Sequence, residues 1–133
     1  MDDVAIDEQA VWLIRSMARR LTHPRTGECL VCYVARMLDE FGCDTTLRFA
    51  RNYRDRMAPR ATQLERRLGD MGGFCDCEIF LNGMRLAPHL RTYDADGEEV
   101  AGEGRPTCAW VRKGSTQACS HWVRRRRDLY EEC

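Results

Sequence analysis

Lysine is almost missing from this chain: of its 21 basic residues only Lys113 is not arginine. Histidine is scarce as well, with only His23, His89 and His121. That leaves thin material for acid–base catalysis. The chain has no Gly-x-Ser-x-Gly elbow, no His-Glu-x-x-His helix and no phosphate-binding glycine loop. Neither half of the zinc deaminase pattern, His-x-Glu with Pro-Cys-x-x-Cys, is present. No apolar run reaches the roughly 18 residues that a membrane span needs. The first residues, Met1-Asp2-Asp3, are acidic, whereas a secretory signal opens basic and then turns apolar. The formal net charge is zero, so no global field draws the chain to nucleic acid or a membrane. These features predict a cytoplasmic protein with no membrane partner. In a reducing compartment its eight cysteines are not expected to form a disulfide framework.

What is present is enough for one modest core. At 133 residues, 44% apolar and 32% charged, the chain reads as a single globular domain, 1–133. Within it, 1–28 reads as an N-terminal helix, 29–87 as a cysteine-rich core and 88–133 as a β-rich, basic extension. Charge is distributed unevenly. Residues 45–71 hold seven arginines against three acids, and residues 72–107 hold three against seven.

The chain is organised around Gly72-Gly73-Phe74-Cys75-Asp76-Cys77-Glu78. In extended backbone, side chains at i and i+2 point the same way. Cys75 and Cys77 would then offer two thiolates on one side. Upstream, Cys29 and Cys32 have C-x-x-C spacing, and Cys43 lies between the two pairs. A lone cysteine is most often a small buried apolar group. Five at these spacings read better as ligands.

Helical periodicity over 7–22 places Ile6, Ala10, Leu13, Ile14, Met17 and Leu21 on one face. Asp7 serves as N-cap and Pro24 follows the end. A second helix over about 29–41 carries Leu30, Val31, Val34, Met37, Leu38 and Phe41. Cys29 and Cys32 fall outside that stripe, at the helix start, where a thiolate is favoured. Gly42 closes this helix. Asp44 is expected to cap a third helix over 45–57, and Thr62 with Glu65 to form a capping box for a fourth. Glu78–Leu81, Asn82-Gly83 and Met84–Leu86 read as a hairpin. Asp94–Gly97 reads as a solvated turn and Cys108–Val111 as a strand. Cys119-Ser-His121 is a further close pair of donors.

Zinc takes cysteine sulfur and histidine nitrogen in tetrahedral sites, and a closed four-ligand site is structural. Cys29, Cys32, Cys75 and Cys77 could complete one, with Cys43 as a fifth candidate. A second arrangement has two sites, with Cys108, Cys119 and His121 joining Cys29 and Cys32. An iron–sulfur cluster could use the same ligands, but no cluster spacing is recognisable. A thiol redox or metal-dependent activity at Cys29 and Cys32 is the enzymatic alternative. Arg124, Arg125, Arg126 and Arg127, flanked by Trp122 and Tyr130, are the nucleic-acid candidates, since arginines with aromatics bind phosphate and stack on bases.

The stretch from Cys43 to Asn82 resembles a family of short bacterial proteins known only as a domain of unknown function. The family shows Cys-Asp-His-Thr-Leu-Arg, then two helices, then Gly-Gly-aromatic-Cys-Asp-Cys-Glu and an Asn. Here those segments are Cys43-Asp44-Thr45-Thr46-Leu47-Arg48 and Gly72–Glu78, followed by Asn82. The resemblance implies a Cys/His/Cys/Cys metal site. The sequence departs from it at Thr45, which stands where the family has His, and Cys32 or Cys29 could supply the missing ligand.

Taken together, the sequence predicts an α+β protein of about four helices followed by short antiparallel β-hairpins, clipped by metal. The expected function is that of a zinc-binding structural or regulatory module without catalysis of its own, acting on a protein partner.

Overall fold

A computed structural model describes residues 3–100 and 105–125, with side chains from residue 8 onward. Among the described residues five helices come first: α1 (Asp3–Leu21), α2 (Leu30–Phe41), α3 (Arg48–Met57), α4 (Leu64–Asp70) and the single turn α5 (Asp76–Glu78). A π-helical turn, Ile79–Gly83, continues from α5. Four short strands follow: β1 (Met84–Leu86), β2 (Thr92–Tyr93), β3 (Glu99–Val100) and β4 (Trp122–Arg124). The class is α+β, with two antiparallel two-stranded sheets, β1–β4 and β2–β3.

Helix α2 is the centre of the core. Leu30, Val31, Tyr33, Val34, Ala35 and Met37 are all buried, because this helix is covered by α3, α5 and the segment around Cys119 and Trp122. Gly42 ends it at φ 75°, its N–H bonding to the Leu38 carbonyl at 2.9 Å. The Tyr33 hydroxyl donates to the Thr22 carbonyl at 2.7 Å and the Tyr53 hydroxyl to that of Glu28 at 2.7 Å. These two bonds pin the 22–28 loop against α2 and α3.

Helix α3 starts later than the sequence predicts and is not capped by Asp44. The Asp44 carboxylate instead closes its own turn, accepting the Thr46 N–H at 3.0 Å. Thr45 sits at φ 70°, which a helix does not allow. The cap comes from 27 residues downstream. Asp76, 0% exposed, accepts the N–H of Phe49 at 2.9 Å and that of Ala50 at 3.1 Å. Burial raises the Asp76 pKa, while these two bonds pull it down. The expected capping box of α4 is also missing, since Glu65 spends its carboxylate on Arg54 and Arg51.

The Gly-Gly pair ends α4 in a Schellman motif. Gly73 N–H bonds to the Leu68 carbonyl at 2.7 Å and Gly72 N–H to that of Gly69 at 2.9 Å. Gly72 has φ 86°, and a Cβ there would come within 2.8 Å of the Asn82 Cβ. The Asn82 amide donates to the Gly72 carbonyl at 2.9 Å. Asn82-Gly83 therefore does not turn a hairpin. It ends the π-helical turn, and the expected strand at 78–81 is helical. The partner of β1 is β4, with Leu86 opposite Trp122. No strand forms over 108–111; that segment follows the loop before α2, Val111 N–H meeting the Gly27 carbonyl at 2.9 Å. Asp94–Gly97 does form a turn, between β2 and β3.

The apolar stripe of α1 is exposed. Leu13, Ile14, Met17 and Leu21 face solvent, with Ile14 65% exposed and neighbouring Trp12 69% exposed. Periodicity makes a face apolar but does not say what covers it. The described bonds at this helix lie at its C-terminal end, where an Arg56 guanidinium N–H donates to the Arg19 carbonyl at 2.8 Å. No described helix is long and apolar enough to cross a membrane.

Candidate metal centres

Seven cysteines lie within the described residues, none in a disulfide, and they gather into two clusters. Cys29, Cys32, Cys108 and Cys119 bring four sulfurs within 4.8 Å of one another. Cys43, Cys75 and Cys77 bring three together at the same spacing. The two thiol pairs of the sequence, 29/32 and 75/77, thus belong to different groups. Cys133 lies outside the described residues.

In the first cluster each sulfur arrives by a different device. Cys29 is the N-cap of α2, its backbone extended at φ −77°, ψ 162°, and its sulfur accepts the Cys32 N–H at 3.3 Å. Cys32 is thereby one turn along the same helix. Cys108 lies beside the Gly27 loop and accepts the Cys29 N–H at 3.2 Å and the Trp110 N–H at 3.4 Å. Cys119 lies three residues before the start of β4, and its sulfur is 3.8 Å from that of Cys32. The Trp122 indole N–H donates to Cys32 Sγ at 3.2 Å.

The S···S distances exclude a disulfide and are compatible with a shared metal ion. A disulfide is about 2.05 Å long. Two sulfurs on a tetrahedral zinc, each about 2.3 Å from the ion, stand roughly 3.8 Å apart. Cys32–Cys119 at 3.8 Å and Cys75–Cys77 at 3.9 Å match the second figure.

Electrostatics favours one thiolate in the first cluster. The bond from the Cys32 thiol, with the N–H groups of Cys32 and Cys119, holds the Cys29 pKa down at about 5 against the effect of its burial. The bonded proton stays on Cys32, whose pKa is pushed up by that same bond and by burial. In the second cluster the bond to Cys43 and burial push Cys77 up to about 12. Burial also opposes ionisation of Cys43, but the Cys77 thiol and the N–H groups of Cys77 and Thr45 bring it down. A metal cation replaces such shared protons and lets every sulfur ionise.

Both clusters carry one backbone signature. The described residues other than glycine with positive φ are Thr45, at 70°, and Trp110, at 84°. Each lies two residues after a cluster cysteine, and each donates its N–H to that sulfur at 3.4 Å. A left-handed L-residue costs roughly 1–2 kcal/mol, so the fold accepts strain at these two N–H···S contacts. The sequence gives no sign of this at Trp110.

The other expected site residues are placed as follows. His121 does not join the first cluster; its Nδ1 is buried and meets no hydrogen-bond partner among the described residues. His23 is exposed at the end of α1, with Nδ1 3.0 Å from the Arg56 guanidinium. Arg124 is exposed. Arg125 serves the fold, donating to the Phe80 carbonyl at 2.8 Å and, from its backbone, to Gly83 at 2.8 Å. Arg126 and Arg127 lie outside the described residues.

Fold and site together define a small cysteine-rich α+β protein with two cysteine clusters that could hold metal ions. A family model described as a protein of unknown function (DUF2695) matches residues 30–82. Comparison with curated proteins gives no match, and comparison with solved structures gives none either. The matched stretch contains the whole of the three-cysteine cluster. Of the four-cysteine cluster it contains Cys32 alone.

Proposed function

We propose that the chain is a structural-zinc module, in which an ion held by Cys29, Cys32, Cys108 and Cys119 fastens the segment around residues 105–125 to the head of helix α2. The observation that supports it best is the convergence of four sulfurs from three separate parts of the chain within 4.8 Å. N–H groups aimed at those sulfurs stabilise negative charge there, which four neutral thiols would not need. Zinc suits four thiolates in a tetrahedron, and a site with four protein ligands has no position left for substrate. Such a module works through contacts with another protein rather than through chemistry at the ion.

A redox role for Cys29 and Cys32 draws on the acid-shifted Cys29. Against it, Cys29 is 0% exposed, so its sulfur has no route to a partner disulfide. Alkylation of the reduced, zinc-loaded protein separates the two readings. The structural reading expects Cys29, Cys32, Cys108 and Cys119 to be protected until a chelator is added. Rapid labelling of Cys29 in the loaded protein would favour the redox reading.

A further inference from the structure

The second cluster differs in kind from the first. Cys43 comes from the loop after α2, Cys75 immediately precedes α5, and Cys77 lies within it. Their three sulfurs occupy a span that fits three corners of one tetrahedron. The Thr45 N–H meets Cys43 Sγ at 3.4 Å. The N–H of Cys77 also favours a charged Cys43, whereas burial raises the Cys75 pKa despite the N–H of Glu78.

Three carboxylates lie next to these cysteines in sequence; Glu78 is not among the grouped donor atoms, and the other two are engaged elsewhere. Asp44 accepts both the N–H and the hydroxyl of Thr46. Asp76 gives one oxygen to Phe49 and the other to Ala50. Turning either toward an ion would undo a turn or uncap a helix. Among the described residues no histidine or carboxylate completes the group. Cys43 and Cys77 are half-buried rather than enclosed.

We propose that Cys43, Cys75 and Cys77 form a second zinc-class site whose fourth position takes a small thiol from outside the chain. The inference rests on the metal reading above and extends it to a site of different chemistry. Three protein ligands with one exchangeable position are the pattern of a reactive rather than a structural zinc centre. Three thiolates leave a divalent ion with a net negative charge, so it polarises water weakly, while sulfur is itself a donor that zinc takes readily. When a thiol binds, its S–H bond breaks, a metal–sulfur bond forms and the proton goes to solvent. No oxidant is needed.

The test uses the full chain loaded with cobalt(II), whose visible bands report thiolate coordination, and 2-mercaptoethanol as the probe. Two cobalt ions per chain are expected. Cys77→Ala should lose one of them and Cys108→Ala the other. Added thiol should shift the bands of the ion that Cys77→Ala removes and leave the other ion's bands in place. Cys133→Ser should keep that shift.

A Cys77→Ala protein that binds as much cobalt as the wild type would overturn the second site. Bands that ignore added thiol, or a shift lost in Cys133→Ser, would overturn the exchangeable position. If a cysteine variant fails to fold, the thiol titration of the wild type decides alone. Retention of both ions in Cys108→Ala would instead sink the structural-zinc reading, so the two failures are distinguishable.

Discussion

Cys32 and Cys119 are 87 residues apart in the chain, yet their sulfurs are 3.8 Å apart. That contact joins the helical part to the turn before β4, and with Cys29 and Cys108 it makes a four-sulfur corner at the head of α2. His121, two residues after Cys119, does not take part. Cys119→Ser is therefore expected to lose one bound zinc, and His121→Ala to keep it. Elemental analysis of the purified variants checks this. Zinc lost from His121→Ala would show that the imidazole, not a fourth sulfur, completes the site.

Asp76 is a cap delivered from a distance, and its removal should act on α3 rather than on a local turn. Asp76→Ala leaves the Phe49 and Ala50 N–H groups unpartnered in a buried place. The expected cost is about 2–3 kcal/mol, read as a lower urea midpoint with unchanged slope. A loss below roughly 0.5 kcal/mol, the level of an ordinary surface change, would mean that α3 is capped by another group.

Gly27 is required where Trp110 crosses the loop. It has φ 76°, and a Cβ there would lie 1.9 Å from Trp110 Cδ1. Gly27→Ala must displace Trp110, whose N–H serves Cys108. The expected result is destabilisation by about 2 kcal/mol or more, combining backbone strain and overlap, together with weaker zinc retention in a chelator competition. Normal retention would separate the Trp110 turn from the metal site.

Glu28 is a buried carboxylate held by three donors: Arg36 Nε at 2.9 Å, Arg36 Nη2 at 2.8 Å and the Arg25 N–H at 3.0 Å. Arg36→Ala leaves its charge with the Arg25 N–H alone. A loss of about 2–3 kcal/mol is expected, because a charge stranded in the interior costs more than its pair contributes. Thermal unfolding of the metal-loaded protein measures it, and an unchanged midpoint would contradict the fork's role.

Helix α2 was readable from sequence because its apolar stripe, its glycine stop and its leading C-x-x-C all agree on one element. The α+β class followed from the change of pattern after Cys77. The start of α3 was not readable, since its cap, Asp76, is remote and local sequence offers Asp44 as a nearer choice. Asn82-Gly83 resembles a hairpin turn, yet the Asn82 amide is drawn to the Gly72 carbonyl, and a helical turn results. The ligand grouping is not legible in the sequence, because spacing along the chain does not encode which distant cysteines meet. Helix α1 is legible in its periodicity, but its exposure is not, because a pattern names a face, not its cover.

The most direct test of the zinc-module reading is metal content per chain, by native mass spectrometry with elemental analysis, on reduced protein that carries no affinity-tag histidines. The account predicts at least one zinc that is lost in Cys108→Ser and whose removal by chelator lowers the melting temperature. Protein that carries no metal, and that keeps its melting temperature under chelator, would contradict it.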